Sequence, residues 1–109
     1  MASTYKVLGQ SAPSATTNTD VYTVPSARES VISTIVIANR AATAGTFRLA
    51  VRPNGAAIAD QHYLAYDVPI AANDSTTLTL GLTLGAADVI TAYCSSADIS
   101  INIFGTEIS

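Results

Sequence analysis

The chain has 109 residues, of which five are basic and eight acidic, giving a formal net charge of −3 and a pI near 4.7. Charged residues make up only 12%, against about 25% in an ordinary soluble domain, while 49% are hydrophobic and the mean hydropathy is +0.35. This balance argues against the basic stripe that sequence-independent nucleic-acid binding requires, and the single cysteine, Cys94, excludes an internal disulfide or a cysteine-built metal cluster.

Apolar residues recur at every second position along most of the chain, the spacing of strands, and no segment carries the i, i+3, i+4, i+7 spacing of a helix. Tyr5–Gly9 reads as a first strand, followed by a polar connector over Ser11–Thr19. A second strand, Val21–Val24, stops at Pro25-Ser26-Ala27, because proline lacks the donor a central strand needs. Val31–Asn39 is the third. In the fourth, Thr46–Arg52, Phe47, Leu49 and Val51 alternate with polar or small residues. Arg52-Pro53-Asn54-Gly55 then supplies a turn whose Asn-Gly tolerates positive φ, and Ala56–Ala59 has room for one helical turn.

His62–Val68 is the fifth predicted strand, and Ala71-Ala72-Asn73-Asp74 is the loop after it. The sixth, Thr76–Leu82, overlaps a stripe of Leu78, Leu80, Leu82 and Leu84. After the loop Gly85-Ala86-Ala87-Asp88 come Val89–Ser95 and Ile99–Phe104, the latter with Ile99, Ile101 and Ile103 on one parity. About eight short strands at this spacing imply one all-β domain over residues 1–109: an antiparallel β-sandwich, with 1–20 a strand plus polar arm. Both jelly-roll and immunoglobulin-like strand orders fit. A chain of this length buries roughly two-thirds of its unfolded surface, enough to fold without staples. No apolar run reaches the ~20 residues of a membrane helix, and Met1–Lys6 lacks the basic-then-apolar layout of a signal peptide.

Val31–Asn39 departs from simple alternation. Val31, Ile35 and Ile37 hold one parity, while Ile32, Val36 and Ala38 hold the other. Val89–Cys94 behaves likewise. A sandwich core covers one face of each sheet, so the second face needs a cover, either a loop of the same chain or another polypeptide. With so little charge, the expectation is a partner chain, and aliphatic side chains there would each gain about 1.5–3 kcal/mol on burial, before ordering costs.

Chemistry is sparse. His62 is the only histidine, and no positioning motif joins it to a serine and an aspartate; a half-buried ring bonded to a neighbour is the simpler reading. Asp20, Asp60, Asp67, Asp74, Asp88 and Asp98 stand mostly at strand ends, where they cap backbone amides, and no run has calcium-loop spacing. No catalytic residue, metal ligand or cofactor is assigned. Cys94 reads as a small buried side chain. Tyr63 and Tyr66 fall on opposite faces of their strand, which leaves one outward for packing, an interface or a glycan. Arg48 and Arg52 share a face and can pair with carboxylates of a neighbouring strand or subunit, or stand in solvent. Candidate interface positions are therefore Val31, Ile35, Ile37, Arg48, Arg52, Tyr63 and Tyr66.

Tyr22-Thr23-Val24-Pro25 and Ser33-Thr34-Ile35-Val36-Ile37-Ala38-Asn39-Arg40 resemble the opening of small virion structural proteins of tailed bacteriophages, of the kind infecting cyanobacteria and marine bacteria. Phe47–Pro53, His62–Asp67, Pro69–Asp74, the Leu78–Leu84 stripe and Phe104–Ile108 continue the resemblance, which runs from Val21 onward; Met1–Asp20 is less distinctive. The resemblance implies a β-sandwich made in the host cytoplasm and built into the virion, without enzymatic activity or a cofactor. It also implies a homo-oligomer that contacts other virion proteins. The major capsid protein is the expected partner for a capsid cement or decoration protein, and tail, neck, baseplate or fibre proteins are the alternative. Neither nucleic acid nor membrane is expected as a partner. A carbohydrate- or receptor-binding module is the remaining reading.

Overall fold

The computed structural model describes residues 2–109, and its strands are β1 (Ser3–Ser11), β2 (Thr19–Thr23), β3 (Glu29–Asn39), β4 (Gly45–Arg52), β5 (Tyr63–Ile70), β6 (Ser75–Leu78), β7 (Leu82–Leu84), β8 (Val89–Cys94) and β9 (Ile99–Ile108). All pairings are antiparallel. The pairs nest: β1 with β9, β2 with β8, β3 with β6 and β7, and β4 with β5. The chain is thus one long antiparallel ribbon whose turn lies between β4 and β5. Two further pairings, β3 with β9 and β4 with β8, roll that ribbon into two sheets ordered β1-β9-β3-β6/β7 and β2-β8-β4-β5. This wrapped order is that of a jelly roll, which decides between the two arrangements the sequence left open.

The core lies between the sheets. Ile32, Ile35, Ile37, Ile99, Ile101 and Ile103 come from one sheet, and Phe47, Leu49, Ile90, Ala92 and Cys94 from the other. The alternating rows of β4 and β9 therefore point inward as expected. Asn54 (φ 53°) and Gly55 (φ 68°) take the positive φ that their turn requires.

Four expectations need correction. First, β3 does not present two apolar faces. A β-bulge between Ile32 and Thr34 shifts its parity, so Ile32 points into the core before the bulge and Ile35 and Ile37 point into it afterwards. Ile35 and Ile37 are 0% exposed, and they leave the interface set. Second, Thr76–Leu82 is not one strand. Gly81 (φ 61°) breaks it into β6 and β7, which turns Leu80 outward while Leu78, Leu82 and Leu84 pack inward. Third, the short helical turns flank Ala56–Ala59 at Pro53–Gly55 and Asp60–His62. Fourth, β9 runs on to Ile108, so the inward row of Ile99, Ile101 and Ile103 continues through Gly105 to Glu107.

A second bulge, in β1 between Val7 and Gly9, sits beside the first on the opposite side of β9. Both lie against the Ile103–Gly105 stretch of β9, and a side chain at Gly105 would collide with the Val31 carbonyl. Only glycine allows the backbones to approach so closely here.

Candidate interaction faces

On the outer face of the β2-β8-β4-β5 sheet, β8 is covered by its own chain. On β8, Val89, Thr91 and Tyr93 face outward, yet Val89 and Thr91 are buried and Tyr93 is half-buried. Arg52 holds the cover in place. Its Nε donates to Thr91 Oγ1 (3.0 Å), its Nη1 to the carbonyls of Gly55 (3.2 Å) and Ala56 (2.9 Å), and its Nη2 to Asp20 Oδ1 (2.8 Å). Thr91 Oγ1 in turn donates to Asp20 Oδ1 at 3.0 Å. The 53–62 connection is thereby tied down over β8, and a small depression of about 250 Å³ remains among Asn18, Asp20, Arg52, Ile58 and Thr91.

At the other end of this face the Arg48 guanidinium lies between the rings of Tyr66 (4.1 Å) and Tyr93 (4.2 Å). It donates through both Nε and Nη2 to Asp67 (2.7 and 3.3 Å), the fork-to-fork geometry that suits arginine and carboxylate. That bond holds Arg48 more firmly in its charged form. Tyr63 meets Tyr66 edge to face at 4.8 Å, so both tyrosines stand on the same outer face. The expectation of opposite faces fails because β5 is irregular: its register against β4 shifts twice, and Asp67 adopts φ 50°. Tyr66 stays 55% exposed. Both arginines are thus paired with carboxylates on other strands of the same chain.

The outer face of the other sheet has no such cover. Around the paired bulges, Tyr5 (84% exposed), Val7, Val31 (36%) and Phe104 form an apolar patch beside a shallow depression of about 550 Å³, also lined by Ser33 and Thr106. Further along, Val36, Ala38, Ser75, Thr77, Ser100 and Asn102 make a field of small or polar side chains. Val31 is therefore the one β3 residue of the sequence-derived interface set that faces outward. Tyr5, Val7 and Phe104 were missed, although Phe104 sits on the parity opposite Ile103, and Tyr5 and Val7 share a parity in β1.

A buried polar cluster at the end of the sandwich also escaped sequence reading. Glu107, 3% exposed, accepts from the Tyr22 hydroxyl (2.7 Å) and pairs with Lys6 (2.9 Å) and, more loosely, Arg28 (3.4 Å). Ser30 and Tyr22 hydroxyls lie 2.6 Å apart; with the phenolic proton on Glu107, Ser30 is the donor. The Tyr22 hydroxyl and then the Lys6 ammonium hold the Glu107 carboxyl below its usual range, while burial pushes the Tyr22 phenol up to about 12. Every partner of this carboxylate lies in the chain itself, which reads as a brace between β1, β2 and β9. His62 Nδ1 accepts from the Ala59 amide at 3.1 Å, and Asp88 caps the amides of Asn54 and Gly85 (2.8 Å each). Cys94 is buried and its thiol is raised to about 11 by burial. Among the described residues, no three His, Cys, Asp or Glu side chains converge, and no helix is long and apolar enough to cross a membrane.

Comparison with protein-family models, with curated proteins and with solved structures yields no match.

Proposed function

We propose that the chain is a non-enzymatic structural subunit of a tailed-phage particle, a cement or decoration protein that binds the outside of the capsid and bridges coat subunits. The observation that carries this reading is the difference between the two outer faces. Lys6, Arg28, Arg48 and Arg52, four of the five basic side chains, are all paired with carboxylates of the same chain. One sheet has its β8 strand covered by its own chain, and the other leaves Tyr5, Val7, Val31 and Phe104 as an open apolar patch toward its β1 edge. A neighbour covering Val7 and Val31 fully would gain about 1.5–3 kcal/mol for each, less their present partial burial and the cost of ordering. The sequence resemblance supports the same role. So does the strand order, by analogy only, since jelly rolls build viral capsids as well as lectins.

In this reading the protein performs no reaction. It adds buried interface between coat subunits and so opposes the pressure of packaged DNA. Particles lacking the protein should release their genome at a lower temperature than complete particles; identical release profiles would reject the cementing role. A tail, neck, baseplate or fibre position is the nearest alternative, and protein densitometry of purified virions separates the two, a lattice-bound cement being present in many more copies.

Carbohydrate or receptor binding rests on a different observation, the half-exposed Tyr66 ring beside Tyr63 on the opposite face of the molecule. It requires saturable binding to a host-surface polysaccharide that Tyr66→Ala abolishes, and a glycan array without binding rejects it.

A further inference from the structure

Among the described residues, β1 offers the longest unblunted strand edge, and its geometry selects what can occupy it. Ala2 and Ser109 exchange both backbone hydrogen bonds, at 3.2 and 2.9 Å. Opposed residues in an antiparallel pair alternate between bonded and non-bonded, so Thr4 (opposite Glu107) and Lys6 (opposite Gly105) also turn their amides and carbonyls toward β9. Ser3, Tyr5 and Val7 therefore turn theirs away from β9. Among the described residues β1 pairs with β9 alone, and Ser3–Val7 are exposed throughout.

The other edges are blunted. β5 carries Pro69 and the positive-φ Asp67, β6 and β7 are four and three residues long with Gly81 between them, and β2 is five residues with a register shift. Proline, irregularity and short length are the devices that stop edge pairing. The first half of β1 has none of them. Its one charge, Lys6, is already neutralised by Glu107 at 2.9 Å.

We infer that this edge pairs with the same edge of a second copy, joining the two β1-β9-β3-β6/β7 sheets across a two-fold axis at Tyr5. Centring on Tyr5 sets Tyr5 against Tyr5, Ser3 against Val7, and Lys6 of each copy against Thr4 of the other. All three outward-turned residues of each copy then fall at bonded positions, giving about six new backbone hydrogen bonds. Like charges do not meet, and the Tyr5 rings form a favourable cross-strand pair. Centring on Val7 would instead run into the β1 bulge, and centring on Lys6 would oppose like charges through residues whose backbone groups already serve β9. The two-fold axis is perpendicular to the sheet. Both copies of Tyr5, Val7 and Phe104 consequently lie on one side and merge into a single apolar stripe. The pairing is isologous and closes at a dimer. It stands on the strand edge and is independent of the virion reading.

Sedimentation of the full chain tests it. The wild type should show twice the 11.2 kDa chain mass, with dissociation on dilution. Tyr5→Lys places like charges at the axis, and Tyr5→Pro removes an amide that serves only the open edge. Each should weaken dimerisation at least about tenfold, equivalent to about 1.4 kcal/mol, while circular dichroism stays native. The surface control Gln61→Lys should remain a dimer. Should either Tyr5 variant lose structure, oxidation of Tyr5→Cys decides: bonded antiparallel positions lie about 5.5 Å apart, within disulfide reach, and native Cys94 is buried. An intermolecular disulfide in that variant, and none in Thr79→Cys, supports the pairing. A wild-type monomer at high concentration, a dimer insensitive to both Tyr5 substitutions, or no crosslink would overturn it.

Discussion

The two outer faces of this sandwich begin from similar sequence and end in opposite states. β3 and β8 each carry apolar residues on both parities, and each reads as a strand needing cover on two sides. In β8 the cover is real and intramolecular: Arg52 fastens the 53–62 connection over Val89 and Thr91. In β3 a bulge reconciles the two parities by rotating the strand halfway along, so that Ile32, Ile35 and Ile37 all reach the core. What remains outside β3 is Val31, Val36 and Ala38, less apolar than the sequence implies but open to a neighbour. One extra residue in a strand thus does the work that an extra polypeptide was expected to do.

The sharpest way to break this comparison is to truncate residues of equal sequence parity in β3. Ile35→Ala should cost about 2–5 kcal/mol in urea unfolding, whereas Val31→Ala should stay within about 0.5 kcal/mol. Equal losses would mean that the parity does not switch. Next in size is the fastening of the other face. Arg52→Ala removes the donors that bridge Thr91, Asp20 and the Gly55 and Ala56 carbonyls, and should cost about 1–3 kcal/mol. Limited proteolysis should then nick the 53–62 segment before any other; an unchanged digestion pattern would contradict the assigned role of Arg52.

Acid sensitivity sharpens the account of the sandwich end that both sheets share. The Glu107 carboxyl is lowered in the folded state, so its contribution is fully present above the usual value of about 4.5 and is lost as pH falls through the folded-state value. Thermal midpoints should decline below about pH 4.5, and Glu107→Gln should reduce that decline while lowering stability at neutral pH. The smallest expected effect concerns Cys94. With its thiol buried and raised to about 11, it should resist alkylation at pH 8 until the protein is unfolded.

Much of the fold was legible because turns and alternation are local. Pro53-Asn54-Gly55, the inward row of Ile99, Ile101 and Ile103, and the row of Phe47 and Leu49 all stand where short-range rules place them. The exceptions arise where pairing overrides alternation. The bulges at Ser33 and Leu8 depend on the close approach of β9 at Gly105, and the shared face of Tyr63 and Tyr66 depends on irregular pairing with β4. Glu107 continues the inward parity of β9, a signal present in the sequence. Its partners Tyr22 and Lys6 come together only when the ribbon rolls up. The interface set was affected in the same way: parity misplaced Ile35 and Ile37, and the open patch is assembled from β1, β3 and β9, which are far apart in the chain.

Hydroxyl-radical footprinting of the free protein, at a concentration where it is dimeric, against the purified particle tests the central claim most directly, because Tyr5 and Tyr66 report the two outer faces with the same chemistry. The account predicts that Tyr5 and Phe104 become protected in the particle while Tyr66 labels as before. Protection of Tyr66 with Tyr5 and Phe104 unchanged would contradict it.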